Sequence, residues 1–179
     1  MLRILRQIFS TGIVTEPLSP AEESRITVTG ALLEKKIERR FQRSVAIRFV
    51  DAGSCNACEL EAHAANNPFY NSERFGIHFT ASPRFADILL VTGPVSINME
   101  TALKRTYNAM PGPKLVVAIG DCGRDGGVFG CGYASAGGVG NVIPVDVYVT
   151  GCPPAPSQII HGILRAVSPA RKTGDGPGF

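Results

Sequence analysis

No run in this sequence reaches the roughly 18 apolar residues of a membrane-spanning helix, so a spanning segment is excluded. The opening stretch MLRILRQIFSTGIV is not a secretory signal either. Arg3, Arg6 and Gln7 interrupt its apolar residues, and no small-residue cleavage site follows. A second C-x-x-C pair is missing, which leaves the two-knuckle zinc ribbon incomplete. The three histidines, His63, His78 and His161, lack metal-ligand spacing and read as core or surface residues. There is no internal repeat. Beyond residue 48 there is also no excess of positive charge. Residues 49–179 carry nine Lys/Arg against ten Asp/Glu, whereas residues 1–48 carry nine against five. The net charge of +3 is therefore an N-terminal property, which argues against a nucleic-acid-binding domain. These absences describe a cytoplasmic protein. Its five cysteines are then expected to serve metal or redox chemistry rather than disulfides.

What is present suits one domain with a real core: 179 residues, 44% of them hydrophobic. Residues 1–9 and 31–43 read as amphipathic basic helices, the second with Leu33, Ile37 and Phe41 on one face. Lys35, Lys36, Arg39, Arg40 and Arg43 fill the rest of that helix, as a solvated face or one that meets acidic headgroups or an acidic partner. Residues 15–30 read as an extended, turn-rich linker. From residue 45 the pattern becomes alternating α/β. Strands are expected at 45–50, 77–80, 87–92, 114–119 and 145–149, and helices at about 56–66, 97–109 and 156–167. Three of the strands are short and almost wholly apolar, as strands buried on both faces are. That repeat predicts an α/β fold with an open parallel sheet and helices on both faces. The expected organisation is an N-terminal extension over 1–44, an α/β domain over 45–168 and a disordered tail over 169–179.

Four cysteines fall just past expected strand ends. Cys55 and Cys58 follow the first strand, Cys122 follows the strand ending at Ile119, and Cys152 follows the strand ending at Val149. In an open parallel sheet that edge is where ligands bind. Four thiolates there suit a tetrahedral zinc site or a [4Fe–4S] cubane, and the C-x-x-C alone would also suit thioredoxin-like exchange. The neighbours favour a cluster. Gly53, Gly120, Gly123, Gly126, Gly127 and Gly151 let backbone approach a bulky inorganic core and offer N–H groups to its sulfurs. Cys131 sits in a long glycine-rich loop without an obvious partner and is left outside the site. Asp87 and Asp146 begin strands and read as strand-end caps.

The stretches GSCNACELE, SPRFADILLVTGPV, IGDCGRDGGVFG and IPVDVYVTGCPPAPSQIIHGIL resemble the cluster-bearing small subunit shared by respiratory complex I and the membrane-bound [NiFe] hydrogenases. The resemblance runs from about Val45 to Val167. The complex I subunit carries adjacent cysteines in its first motif, whereas C-N-A-C is similar to the formate-hydrogenlyase and energy-converting hydrogenase branch. The resemblance implies a flavodoxin-like fold with one [4Fe–4S] cluster on Cys55, Cys58, Cys122 and Cys152. It also implies an electron-transfer subunit of an oxidoreductase with no catalytic residue of its own. Such a subunit passes electrons between a ferredoxin-like iron–sulfur subunit and a Ni–Fe large subunit, on the cytoplasmic face of the plasma membrane. Residues 1–44 would dock on membrane subunits or lipid. Glu61, which matches a Glu of the family's first motif, and Arg84 become candidates for tuning the cluster or contacting protons or a partner. A complex I-type quinone reductase subunit is the alternative within the family, and a zinc-stabilised structural subunit the alternative outside redox chemistry.

Overall fold

The structure is a computed structural model that describes residues 2–11 and 20–168. The tail expected at 169–179 lies outside the described residues. In chain order the elements are α1 (Leu2–Thr11), α2 (Pro20–Phe41), β1 (Val45–Asp51), α3 (Ala57–Ala64), β2 (Ile77–Phe79), β3 (Ile88–Thr92), α4 (Ile97–Ala109), β4 (Leu115–Ile119), α5 (Gly120–Asp125), β5 (Val147–Val149) and α6 (Pro156–Val167). Three single 3₁₀ turns lie between them.

The five strands form one sheet in the order β2-β1-β3-β4-β5, every pair parallel. That is the flavodoxin-like doubly wound order, so the fold class read from the sequence holds. Both faces are covered. Val45, Ile47, Ile88, Leu90, Val117 and Ile119 pack in one core with residues of α2, α3 and α6. Val50, Leu89, Val91, Val116 and Ala118 pack in a second core with Leu103 of α4. The central strand β3 is buried along its whole length, which is why it reads as a continuous apolar run rather than an alternating one.

The linker expected over 15–30 is corrected from Pro20 onward. Residues 20–30 are the first half of α2. Their polar, turn-type composition is outweighed by packing further along the helix, where Leu33 and Ile37 are buried at 0% and 3% exposure in the core they share with β1. Gly30 allows the close approach. A Cβ built there would lie 2.0 Å from the Phe75 ring.

The basic run of α2 is only partly a solvated face. Lys36 Nζ donates to Ser168 Oγ at 2.7 Å, and Arg40 donates to the carbonyls of Ala166 and Val167 at 3.1 and 3.0 Å. Arg40 thus satisfies the last carbonyls of α6, and both cations stand where the helix dipole favours positive charge. Beyond α2, Arg43 forms a bidentate pair with Asp87 at 2.6 and 3.0 Å. Asp87 Oδ2 also accepts the Ala46 N–H, and Asp146 Oδ2 accepts the Val116 N–H. Both aspartates thus cap strand starts, as expected. Among the described residues no helix is long and apolar enough to cross a membrane.

Candidate functional site

Each candidate cysteine is placed by a turn that the local sequence builds at the carboxyl edge of the sheet. After β1, Asp51 Oδ1 accepts the N–H groups of Gly53 and Ser54 at 2.8 and 2.7 Å, and Ser54 Oγ accepts the Asn56 N–H at 3.1 Å. This folds the loop tightly, with Asn56 left-handed at φ 72. Cys55 is left exposed and Cys58 buried in the first turn of α3. After β4 the chain turns directly into α5, a helix not expected from the sequence, which carries Cys122. Gly120 and Asp121 open it. The Asp121 N–H donates to the Gly151 carbonyl at 3.0 Å, and Asp121 Oδ1 accepts the Gly151 N–H at 3.2 Å. Those two bonds tie the Cys122 turn to the loop that holds Cys152.

The four sulfurs share one environment. Burial first, then the charge of Glu59, then Cys55, Cys122 and Cys152 push the Cys58 thiol up to about 12. Cys122 is also raised, by burial first, then by Cys152, Cys55 and Asp121, against a backbone hydrogen bond that lowers it. Cys58 and Cys122 therefore favour the thiol form, and any metal they bind must displace those protons. Two glycines leave the room that sulfur occupies. A Cβ on Gly120 would lie 2.8 Å from Cys58 Sγ, and one on Gly127 would lie 2.7 Å from Cys122 Sγ. Both have positive φ, +84 and +52, where side chains are strained in any case.

Among the described residues no three His, Cys, Asp or Glu side chains are gathered as for a single metal ion. A cubane places each thiolate on a different iron, so its ligands stand further apart than those around one ion. Cys131 is separate. Its Sγ donates to the Ala136 carbonyl at 3.3 Å, and it is not among the charges that act on Cys58 or Cys122.

Glu61 is half-buried on α3, and Arg84 is exposed in the turn Pro83–Phe85. Neither has a side-chain hydrogen bond or ion pair among the described residues. Glu59 is the residue that sequence reasoning misses. It is 7% exposed, Oε1 accepts the Thr92 hydroxyl, and Oε2 has no partner. Its one signal is its place in the first turn of α3, directly after Cys58. Around the same edge Leu60, Val128, Phe129 and Tyr133 are exposed apolar side chains.

The family described as "NADH ubiquinone oxidoreductase, 20 Kd subunit" matches residues 55–166. Formate hydrogenlyase subunit 7 of Escherichia coli is 40% identical over 146 residues, 82% of this chain and 55% of that one. The chain thus spans little more than half the length of that relative. The probable membrane-bound hydrogenase subunit mbhJ of Pyrococcus furiosus is 44% identical over 143 residues, 78% of this chain and 86% of that one. The B 1 subunit of the NADH-quinone oxidoreductase of Herpetosiphon aurantiacus is 50% identical over 113 residues, 63% of this chain and 62% of that one. Among solved structures, a chain of the membrane-bound sulfane sulfur reductase, an archaeal respiratory membrane complex, aligns with TM-score 0.63 at 32% identity. It covers 75% of this chain and 73% of that one.

Proposed function

Since the chain belongs to the NADH ubiquinone oxidoreductase 20 Kd subunit family, we propose that it is the electron-transfer small subunit of a membrane-bound hydrogenase-type complex. On this reading Cys55, Cys58, Cys122 and Cys152 hold one [4Fe–4S] cluster. The observation that carries it is the convergence of four thiols from three strand-end loops, with two glycines cut away against their sulfurs. That donor set fits a cubane, which needs four thiolates and close backbone.

When bound, the cluster supplies a one-electron carrier. The chain's own residues do the rest. The Asp51 turn and the start of α3 fix Cys55 and Cys58, and the Asp121–Gly151 bonds fix the Cys122 loop against the Cys152 loop. The buried side of the site keeps water from Cys58. The exposed apolar side chains at the edge would receive a large subunit bearing the Ni–Fe centre, with a ferredoxin-like subunit as electron donor or acceptor. The outer faces of residues 1–44, with Ile4 and Phe9 exposed beside Arg3 and Arg6, would dock on membrane subunits or headgroups at the cytoplasmic face. Support for the hydrogenase branch is the C-x-x-C spacing and the 86% coverage of mbhJ. The 50% identity to the Herpetosiphon NADH-quinone oxidoreductase chain favours a second reading, a subunit that delivers electrons to a quinone site.

Iron, zinc and acid-labile sulfide in anaerobically purified protein, with EPR after dithionite reduction, test the proposal. About four irons and four sulfides per chain are expected, with a reduced-cubane signal lost in Cys122→Ser and Cys152→Ser and kept in Cys131→Ser. Stoichiometric zinc without sulfide would replace electron transfer with a structural role.

A further inference from the structure

Two acidic side chains are buried to more than nine-tenths in the described residues, Glu59 and Asp87, and they are treated very differently. The Asp87 carboxylate is fully engaged by the Arg43 guanidinium and the Ala46 N–H. Glu59 makes no ion pair, although Arg48, whose Nε is also buried without a hydrogen-bond partner, lines the same cavity. One oxygen accepts the Thr92 hydroxyl, and the other has no partner. An unpaired buried acceptor costs about 1–3 kcal/mol, more when charged, and such a group in a native fold calls for a reason.

Its position supplies one. Thr92 is fully buried at the end of β3. Its sheet neighbours are Asp51, which leads into the Cys55–Cys58 loop, and Ile119, which leads into the Cys122 helix. The Thr92 hydroxyl thus pins the carboxylate beneath the edge where the cysteines gather. After burial, Glu59 is the largest influence on Cys58, ahead of the other three thiols.

We propose that Glu59, held by Thr92, is a positioning residue that sets the reduction potential of the group bound by Cys55, Cys58, Cys122 and Cys152. Reduction adds a negative charge to that group. A fixed carboxylate with no ion-pair partner, on the residue next to a ligand, opposes the added charge and lowers the potential. The inference rests on the electron-transfer reading above and adds the residue that tunes it. It assigns the tuning to Glu59 rather than to Glu61 or Arg84.

The test is an EPR-monitored redox titration of the full chain at one pH, with iron and sulfide measured on each sample. Glu59→Gln keeps the side-chain length and an acceptor for Thr92 but removes the charge, so the midpoint potential moves upward. Glu59→Asp keeps the charge and stays below Glu59→Gln. Thr92→Val withdraws a donor from the carboxylate and moves the potential downward, which carries the test if Glu59→Gln does not load. A purely structural Glu59 would shift the urea midpoint and leave the potential where it was. Fully loaded Glu59→Gln with an unmoved or lowered potential overturns the inference alone. A wild-type chain without iron and sulfide overturns the electron-transfer reading and this inference together.

Discussion

At the residue scale the site depends on what is missing from two positions. Gly120 and Gly127 combine a left-handed backbone with a cysteine sulfur closer than any Cβ could tolerate. Gly130 has a similar φ of +56 but nothing within 4 Å of a built Cβ. Alanine at all three positions carries the same backbone penalty, about 1–2 kcal/mol, so the comparison isolates the thiol contact. Gly120→Ala and Gly127→Ala are expected to lose iron and sulfide, and Gly130→Ala to keep both, as measured on anaerobically purified protein. Equal loading in all three would show that the glycines serve the turns alone. The place of the four candidate cysteines at the sheet edge was legible because each follows a readable strand. Glu59 was not, because an acidic residue in a helix's first turn reads as exposed dipole chemistry. Only the rotation of α3 against the sheet decides that Glu59 faces inward and Glu61 is half-exposed.

At the scale of elements, the strands could be read directly, since β3 and β4 are apolar runs bounded by turn residues and burial on both faces leaves no other pattern. The helices α4 and α6 fall where they were expected, at 97–109 and 156–167. Two elements escaped. α5 is six residues of Gly-Asp-Cys-Gly-Arg-Asp, held by neighbouring loops rather than by propensity. The first half of α2 was hidden because tertiary contact, not composition, keeps it helical. The contrast between Leu32, 49% exposed, and Leu33, fully buried, makes this testable. Leu33→Ala is expected to lower the unfolding free energy by about 2–5 kcal/mol, and Leu32→Ala by less than about 0.5 kcal/mol, in chemical denaturation of the full chain. Indistinguishable midpoints would mean that α2 is a detachable arm.

At the scale of the whole molecule, relatives named for hydrogenase, quinone-reductase and sulfane-sulfur-reductase complexes share this chain's framework. On the function proposed above, a framework common to several terminal chemistries would leave the chemistry to a partner and the carrier to the small subunit. The molecule's surface is consistent with that division. Val128, Phe129 and Tyr133 are 95%, 65% and 102% exposed in the loop after the Cys122 helix, and a monomer gains nothing from holding them in water. If that loop is the seat of the large subunit, changing Val128 and Phe129 together to serine leaves iron content and unfolding midpoint at wild-type values. The same change weakens co-purification of the large subunit by roughly tenfold or more, as loss of a buried aromatic anchor does. Ile4→Ser with Phe9→Ser serves as the counterpart at the other exposed apolar site. It should release the complex from membranes at high salt without separating the two subunits. Retention of the large subunit by the Val128/Phe129 variant would move its docking surface away from the cysteine edge. On the electron-transfer reading, the path would then have to begin on another side of the sheet, away from the four candidate cysteines.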